Sequence, residues 1–520
     1  MIYDARDLPA GAVLRAQVCV IGSGAGGSAA AMAMAEAGLD VLMLEAGGFY
    51  SPDDMTQREE QMFPKLYWDS AGRTSADRKV RLHQGKGVGG STLHNLNLCK
   101  RIDPVLLREW HRDRSLGQLP PQKWQDLYTE VEALLQVSAV PADQWNRGNR
   151  LLQQACAKLG WRGAGLQHNR SGCVGSGFCE IGCAFDAKNN AAKVLLPRLI
   201  AAKGRVLTCA QAVRVVLDGG RVTGVELRAV DPIHGDPAQR LRVEAQAVVL
   251  AASATATPAL LLRSGIADPS QMTGQTLRIH PAVVAAGEFA EPVRAWQGIP
   301  QTFECSEFLR FGGDRGRPGD PRRLWIVPAF GHPMGLATML PGIGAVHRSA
   351  MGRYSHLAVL TAMLHDETRG RVEPDGDLGL RVHYQLTAED AEELRQGSQK
   401  IAELLFAAQA QKVWIPQAEP VQLRSPAELA RAHDIDLDFS QLTAVHPMAS
   451  CPMSDDPLLG PVDSQGRHHS AQGLWIADGS LFPTSIGGPP QLSIYALGLH
   501  VGRAVVQAAG RFVDPAARVA

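Results

Sequence analysis

The chain has 520 residues, which at about 150 per domain allows three domains or one large two-domain enzyme. Its 45% hydrophobic and 20% charged residues suit a folded protein with a large core, so a disordered or fibrous chain is excluded. Lys plus Arg (52) equals Asp plus Glu (52), and with no excess of either sign neither nucleic acid nor an anionic membrane is expected as the main partner.

Residues 1–22 lack the basic stretch, apolar core and small-residue cleavage site of a secretory signal. The longest mildly apolar run, 245–262, is broken by Ser253, Thr255, Thr257 and Pro258, so no membrane span is expected. Nine cysteines are an odd count outside any secreted framework, and are expected as reduced thiols or ligands in a cytoplasmic protein.

Residues 16–21 (AQVCVI) read as a buried strand. Gly22-Ser23-Gly24-Ala25-Gly26-Gly27 follows, then an alanine-rich helix over 28–37, a stop at Gly38 and a second strand over 41–44 ending at Glu45. In this strand–helix–strand context Gly22 permits the tight turn, Gly24 admits a pyrophosphate to the backbone, and Gly27 lets helix and strand pack closely. The helix N-terminus offers free N–H groups to phosphate. Glu45 stands near the offset expected of an acid that binds ribose hydroxyls. A dinucleotide site is expected here.

Downstream, a helical segment over 188–202 precedes a hairpin (213–217 and 222–227) turning at Asp218-Gly219-Gly220. Strands follow at 245–250 and 474–477, and a helix at 491–509. The nucleotide domain is therefore discontinuous: 1–280 and 441–520, with a lid and cysteine-rich loop inserted between about 49 and 187. Residues 281–440 alternate strands with Pro/Gly loops and are expected as the substrate domain. Their clearest helix, 388–408, opens at the Thr387 cap with Asp390 as the acid at its third position.

Four blocks in order resemble the glucose–methanol–choline (GMC) oxidoreductases, a family of FAD enzymes. They are the first fingerprint; Gly85–Asn95 (GKGVGGSTLHN); the segment from Ser253 to Ile266, with Ala267 where glycine is usual; and His446-Pro447-Met448 running on to Asp478-Gly479-Ser480. The resemblance implies an α/β fold, with a discontinuous Rossmann-like FAD-binding domain and a substrate domain on a mainly antiparallel sheet with helices. It implies flavin contacts at Gly89, Gly90, Ser91, His94 and Asn95, adenine against the backbone of Val213, and Asp478 and Gly479 near the pyrophosphate or ribityl chain. Some members tether FAD covalently at the position of His94. Pro489 and Pro490 suit the first turn of the last helix.

Alcohol oxidation by a flavin removes a hydroxyl proton and a hydride, so the protein must supply a base. Among the 16 histidines, His446 matches the family's base; His468 and His469 read as exposed loop residues. The family's second polar residue aligns with Pro489, whose side chain and nitrogen can neither donate nor accept. Either Gln491 substitutes, or the base works alone, or the chemistry differs. Asn95 is a further candidate at the flavin or substrate.

Cys173, Cys179 and Cys183 form a cluster similar in spacing to cluster-bearing subunits of the family. Three readings stand: a [3Fe–4S] cluster feeding an electron-acceptor protein, zinc with His168 as a fourth ligand, or structural thiols or a disulfide. The leading function is an FAD-dependent oxidoreductase acting on an alcohol, hydride to flavin N5 and proton to His446. A dehydrogenase is preferred over an oxidase because the cysteine cluster suggests an onward electron path. Trp296, Phe303, Phe308, Trp325, Phe330, Met334 and Met339 read first as domain core and otherwise as an apolar cavity, which favours a hydrophobic or aromatic alcohol. A lyase or photochemical enzyme on the same scaffold, and a non-catalytic electron-transfer subunit, are the alternatives.

Overall fold

The computed structural model describes residues 1–512, apart from 314, 315, 318, 341, 418, 419 and 439–441. Two sheets organise the chain. In the first, strands Ile2–Asp4, Arg205–Thr208, Val41–Leu44, Val13–Ile21, Pro237–Leu250, Arg221–Val230 and Ala210–Asp218 lie side by side in that order. The first five are mutually parallel and the last three form an antiparallel meander. The strand Pro237–Leu250 belongs to both, which is why it starts eight residues before the expected 245. Its first half pairs with Arg221–Val230, while its second half pairs with Val13–Ile21 and with Leu474–Ile476. The hydrogen bonds of that last strand carry the carboxyl end of the chain into the amino-terminal sheet.

The helix Ala25–Glu36 begins three residues earlier than the alanine run predicts, with Gly24 as its N-cap. Glycine propensity alone argues against Gly26 and Gly27 inside a helix, and close packing decides otherwise. A Cβ on Gly27 would lie 2.0 Å from the carbonyl oxygen of Gly22, and one on Gly26 1.8 Å from that of Ala477. The last helix, Gln491–Ala508, packs against Ala25–Glu36 through the small residues Gly498 and Gly502. Pro489 and Pro490 both precede it; Pro490 is the N-cap, not the first helical residue. The segment expected as one helix over 188–202 is two short ones, Ala191–Val194 and Leu196–Ala201, divided at Leu195 with Pro197 in the first turn of the second.

The second sheet is antiparallel along Val421–Leu423, Lys412–Ile415, Ala282–Glu288, Leu357–Leu364, Leu324–Ala329, Phe303–Cys305 and Gly163–Gly165. Leu442–Ala444 joins it beside Ala282 and pairs in parallel with Val80–Leu82. The insertion and the 441–520 segment thus both add strands to this sheet. The helix Ala388–Ala407 covers it. Thr387 caps that helix as expected, but the Asp390 carboxylate turns away to accept from Thr368 and Arg323. Among the described residues no helix is long and apolar enough to cross a membrane.

The contact between the two terminal helices sets a test. A Cβ on Gly498 would sit 2.4 Å from the carbonyl oxygen of Gly26, and backbone cannot move aside as a side chain can. Gly498→Val is expected to lower the thermal unfolding temperature, corresponding to a loss of about 1–3 kcal/mol or more, and to weaken FAD retention with it. An unchanged melting curve would contradict this packing.

Candidate active site

A cavity of about 430 Å³ runs between the two sheets, walled by Gly22–Gly26, Glu45, Gly90–Thr92, His94, Asn95, His446, Asp478 and Gly479. The fingerprint glycines behave differently from one another. Gly22 has φ +105° and its Cβ would strike the Ala251 carbonyl oxygen at 2.2 Å, so only glycine serves this turn. At Gly24 a Cβ would meet nothing within 4 Å, and the space before it belongs to the cavity.

Glu45 gathers three segments. Its carboxylate accepts from the Ser23 N–H (3.2 Å) and hydroxyl (2.5 Å), from the Gly47 N–H (2.9 Å) and from the Gly87 N–H (3.1 Å). Ser23 Oγ in turn accepts from the Gly89 N–H at 3.0 Å. The Ser91 hydroxyl accepts from Gly85 N–H at 2.8 Å. Asp478, at the end of Leu474–Ile476, is buried and accepts from Ser253 N–H (3.0 Å), Thr257 Oγ1 (2.5 Å) and Ser480 N–H (2.9 Å), while burial raises its carboxyl. Val213 lies at the register shift between Ala212 and Arg214; Ala210, Gln211 and Ala212 form the cavity wall beside it.

His94 stacks at a tilt on Tyr67, ring centroids 3.9 Å apart, and its Nε2 is buried with no hydrogen-bond partner. Burial, and then the Lys188 charge, hold this imidazole neutral. Lys188 is itself buried and donates to the carbonyls of Leu93 (3.0 Å), Asn95 (2.5 Å) and Cys179 (2.9 Å), fixing the segment that carries His94. Asn95 Nδ2 donates to Gln491 Oε1 at 2.7 Å. Gln491 spends its own amide on Leu98 O (2.7 Å) and Asn169 Oδ1 (3.1 Å). It is a strut for Asn95, and its amide donors are not free to replace the polar residue absent at Pro489.

His446 lies in the cavity wall, and its Nδ1 is 3.1 Å from Nδ1 of His280, a residue not foreseen from sequence. His280 Nε2 accepts from the Gly487 N–H at 3.0 Å, so its own proton sits on Nδ1 and donates to His446. The buried Asp366 holds the backbone of this residue, accepting from the N–H groups of Ile279 (3.0 Å) and His280 (3.2 Å) and from the Tyr384 hydroxyl (2.7 Å). Burial lowers His446 to about 3, so the ring is neutral, with Nε2 as its end without a protein partner. No sequence spacing links residues 280 and 446; the antiparallel pairings of Ala282 with Thr443 and of Arg278 with Met448 bring their segments together.

Other expectations change. His468 is buried rather than exposed. Trp325 and Met339 belong to the cavity wall, whereas Phe303 and Phe308 are core. Cys173, Cys179 and Cys183 are free thiols lining a cleft of about 10 Å³, room for one water at most. Cys173 Sγ accepts from Arg170 (3.5 Å) and Gly175 N–H (3.4 Å), and Cys183 Sγ from Ala187 N–H (3.3 Å). His168, the suggested fourth ligand, is bonded instead to Gln301 O (2.9 Å) and to Arg170. Among the described residues no group of three His, Cys, Asp or Glu side chains could hold a metal ion. Neither iron–sulfur nor zinc is supported, and the onward electron path inferred from a cluster loses its basis.

Fold and cavity define a class: a dinucleotide-binding oxidoreductase assembled from both ends of its chain around a two-sheet cleft. The description GMC oxidoreductase matches residues 20–282 and 366–498. An uncharacterized GMC-type oxidoreductase of Mycobacterium tuberculosis is 35% identical over 499 residues, 94% of this chain and 75% of the relative. A long-chain-alcohol oxidase of Arabidopsis thaliana is 26% identical over 95% of this chain and 67% of its own. The crystal structure of pyridoxine 4-oxidase from Mesorbium loti shares the fold, with a TM-score of 0.71 at 20% identity over 94% of this chain and 99% of that one. The chain belongs to the GMC oxidoreductase family and is an FAD-dependent alcohol oxidoreductase. Its residues fit that cofactor: the backbone at Gly24 is open to a phosphate, and His94 Nε2 is a buried polar atom without a hydrogen-bond partner among the described residues.

One carboxyl in the cavity wall was also missed. Glu180, next to Cys179, has no hydrogen-bond partner for its carboxyl among the described residues, and burial raises it to about 7. It is neutral below that pH and ionised above, so the penalty for burying its charge is absent below its ordinary value of 4.5 and complete above about 7. The KM for a neutral apolar alcohol is therefore expected to rise as pH passes upward through about 7, and E180Q to hold the low-pH value throughout. The same step in E180Q would contradict the assignment.

Proposed function

We propose that this protein oxidises an apolar or aromatic alcohol to its carbonyl, with the hydroxyl proton passing to His446. The observation that carries the reading is the free Nε2 of His446, facing a cavity whose further walls include Val284, Trp325, Ala329, Met339 and Met363. The long-chain-alcohol oxidase relatives support an apolar substrate. FAD, when bound, supplies the hydride acceptor.

The chain's own residues divide the remaining work. The N-terminus of Ala25–Glu36, approached past Gly24, would receive the pyrophosphate, where backbone N–H groups and the helix dipole favour an anion, while Gly22 makes the turn and Gly27 the close packing. Glu45 serves the ribose side, and the backbone of Val213 the adenine. Gly89, Gly90, Ser91, His94 and Asn95 would form the seat of the flavin ring, and Asp478 and Gly479 would lie beside the pyrophosphate or ribityl chain.

In its resting tautomer His446 carries its proton on Nε2 and donates to the substrate oxygen. Taking the hydroxyl proton requires the opposite tautomer in both rings and loses the Gly487–His280 hydrogen bond, leaving the buried Gly487 N–H unpaired at a cost of about 1–3 kcal/mol. That is small beside a turnover barrier. His280 thus supplies from behind the partner that Pro489 cannot supply from in front, which favours alcohol oxidation over the lyase and photochemical alternatives.

Anaerobic stopped-flow reduction tests the base. His446→Ala should keep FAD while reduction by an alcohol slows by about 10²–10⁴-fold. Reduction at the unaltered rate would overturn the assignment.

A further inference from the structure

The bulkiest side chain of the substrate wall is held from outside it. Trp325 stands opposite Met363 in the second sheet, as Val284 stands opposite Thr361, and all four line the cavity. They share one face of the sheet, because residues directly opposite in an antiparallel pair point the same way. The Trp325 ring is buried, yet its Nε1 does not end among apolar atoms: it donates to the Glu304 carboxylate. Glu304 lies on Phe303–Cys305 with its side chain 10% exposed. Its two oxygens also accept from Lys100 Nζ, at 2.9 and 2.7 Å. The same ammonium stands 5.6 Å from the centroid of the Trp325 ring. Carboxylate, ammonium and indole close a triangle in which removing any one member breaks two contacts.

Lys100 and Glu304 belong to a different space, an outer cleft of about 440 Å³ whose walls also include Arg101, Phe311, Gly488 and Pro489. Pro489 lines both this cleft and the substrate cavity. Beside it the Lys100 stem occupies the place of a side chain at Gly488, where a Cβ would lie 3.3 Å from Lys100 Cδ. The partition between cavity and cleft therefore includes Trp325 and Pro489, and the ion pair backs both. The proline ring keeps its place by its own rigidity. The indole keeps its place only while its N–H has a fixed acceptor, since a buried unpaired donor is costly and the ring can turn to another rotamer.

We propose that Glu304 is a positioning residue that sets which alcohols fit: with Lys100 behind it, it holds Trp325 as a fixed wall and so limits the size of the apolar group the cavity accepts. Freed from Glu304, the indole would turn toward the outer cleft and join the two spaces. Larger alcohols would gain room, and small ones would lose a surface to pack against. An ion pair that merely stitched Leu98–Cys99 to Phe303–Cys305 would instead change stability, and would affect every alcohol alike. The nature of the selected ligand rests on the apolar-alcohol reading above; the hold on Trp325 does not.

Tertiary alcohols of graded size test this with the FAD-loaded protein, because they have no carbinol hydrogen to give and report binding alone. Dissociation constants are read from the perturbation of the flavin bands by tert-butanol and by tertiary alcohols carrying a hexyl or a naphthyl group. In E304A the larger ligands should gain on tert-butanol by at least about ten-fold relative to the parent protein. For primary alcohols of matching size the shift should fall on KM rather than kcat. E304Q, whose side-chain carbonyl still accepts from the indole, should keep the parent order. K100M, which removes only the anchor of the carboxylate, should shift the order the same way as E304A and serves if E304A does not fold. A parent-like order in E304A or K100M, equal weakening of every ligand, or an E304Q that follows E304A would overturn the proposal. If the tertiary alcohols show the predicted shift while no primary alcohol bleaches the flavin, the role of Glu304 stands and the oxidation reading falls. If primary alcohols bleach it with one size order in parent and variants, the reverse holds.

Discussion

The carboxylate of Glu45 is the tie on which the cofactor side of the cleft depends. It ends the strand Val41–Leu44 and draws in the fingerprint loop through Ser23, its own chain at Gly47 and the glycine segment at Gly87. Four donors on one buried carboxylate tie together three glycine-rich segments. Ser23 extends the tie to Gly89, so the segment bearing Ser91, His94 and Asn95 is held to the dinucleotide fold by hydrogen bonds as well as by the packing of Val88 and Leu93. Without that carboxylate the buried N–H groups of Gly47 and Gly87 would be left unpaired, which costs more than the bonds themselves contribute.

The second constraint is the chain's return to its own beginning. Leu474–Ile476 enters the sheet beside Pro237–Leu250, and Gln491–Ala508 then lies against Ala25–Glu36 with backbone nearly touching backbone at Gly26 and Gly498. This closure places Asp478 and Gln491 against the amino-terminal loops. It also sets His446, just after Leu442–Ala444, within reach of His280, just before Ala282–Glu288. The proposed catalytic pair thus exists only because the chain crosses between sheets twice.

Much of the cofactor side was legible in the sequence because glycine clusters announce backbone requirements locally: a turn with positive φ at Gly22, an open approach at Gly24, a close contact at Gly27. Glu45 was singled out by its offset from the fingerprint and its place at a strand end, and His446 by the resemblance of its Pro-Met-Ala block. The residues that sequence could not give are those whose role comes from across the fold. His280 and Glu180 have no local signature, and Gln491 stood as a substitute for the missing polar residue until its hydrogen bonds were placed. His468, in a polar stretch, was misjudged because burial is a property of neighbours and not of composition. The cysteines misled in the opposite way: their spacing resembled a ligand set, but the loop turns Cys173 and Cys183 to backbone donors and to Arg170 and buries Cys179.

What unites these features is a cavity with a charge-organised cofactor wall and an apolar substrate wall. The most direct measurement is an anaerobic visible spectrum of the FAD-loaded protein titrated with alcohols graded from sugars to long-chain and aromatic ones. Bleaching of the flavin bands by the apolar alcohols, with an equivalent amount of carbonyl product, is the predicted result. Flavin bands that no alcohol bleaches would contradict the account.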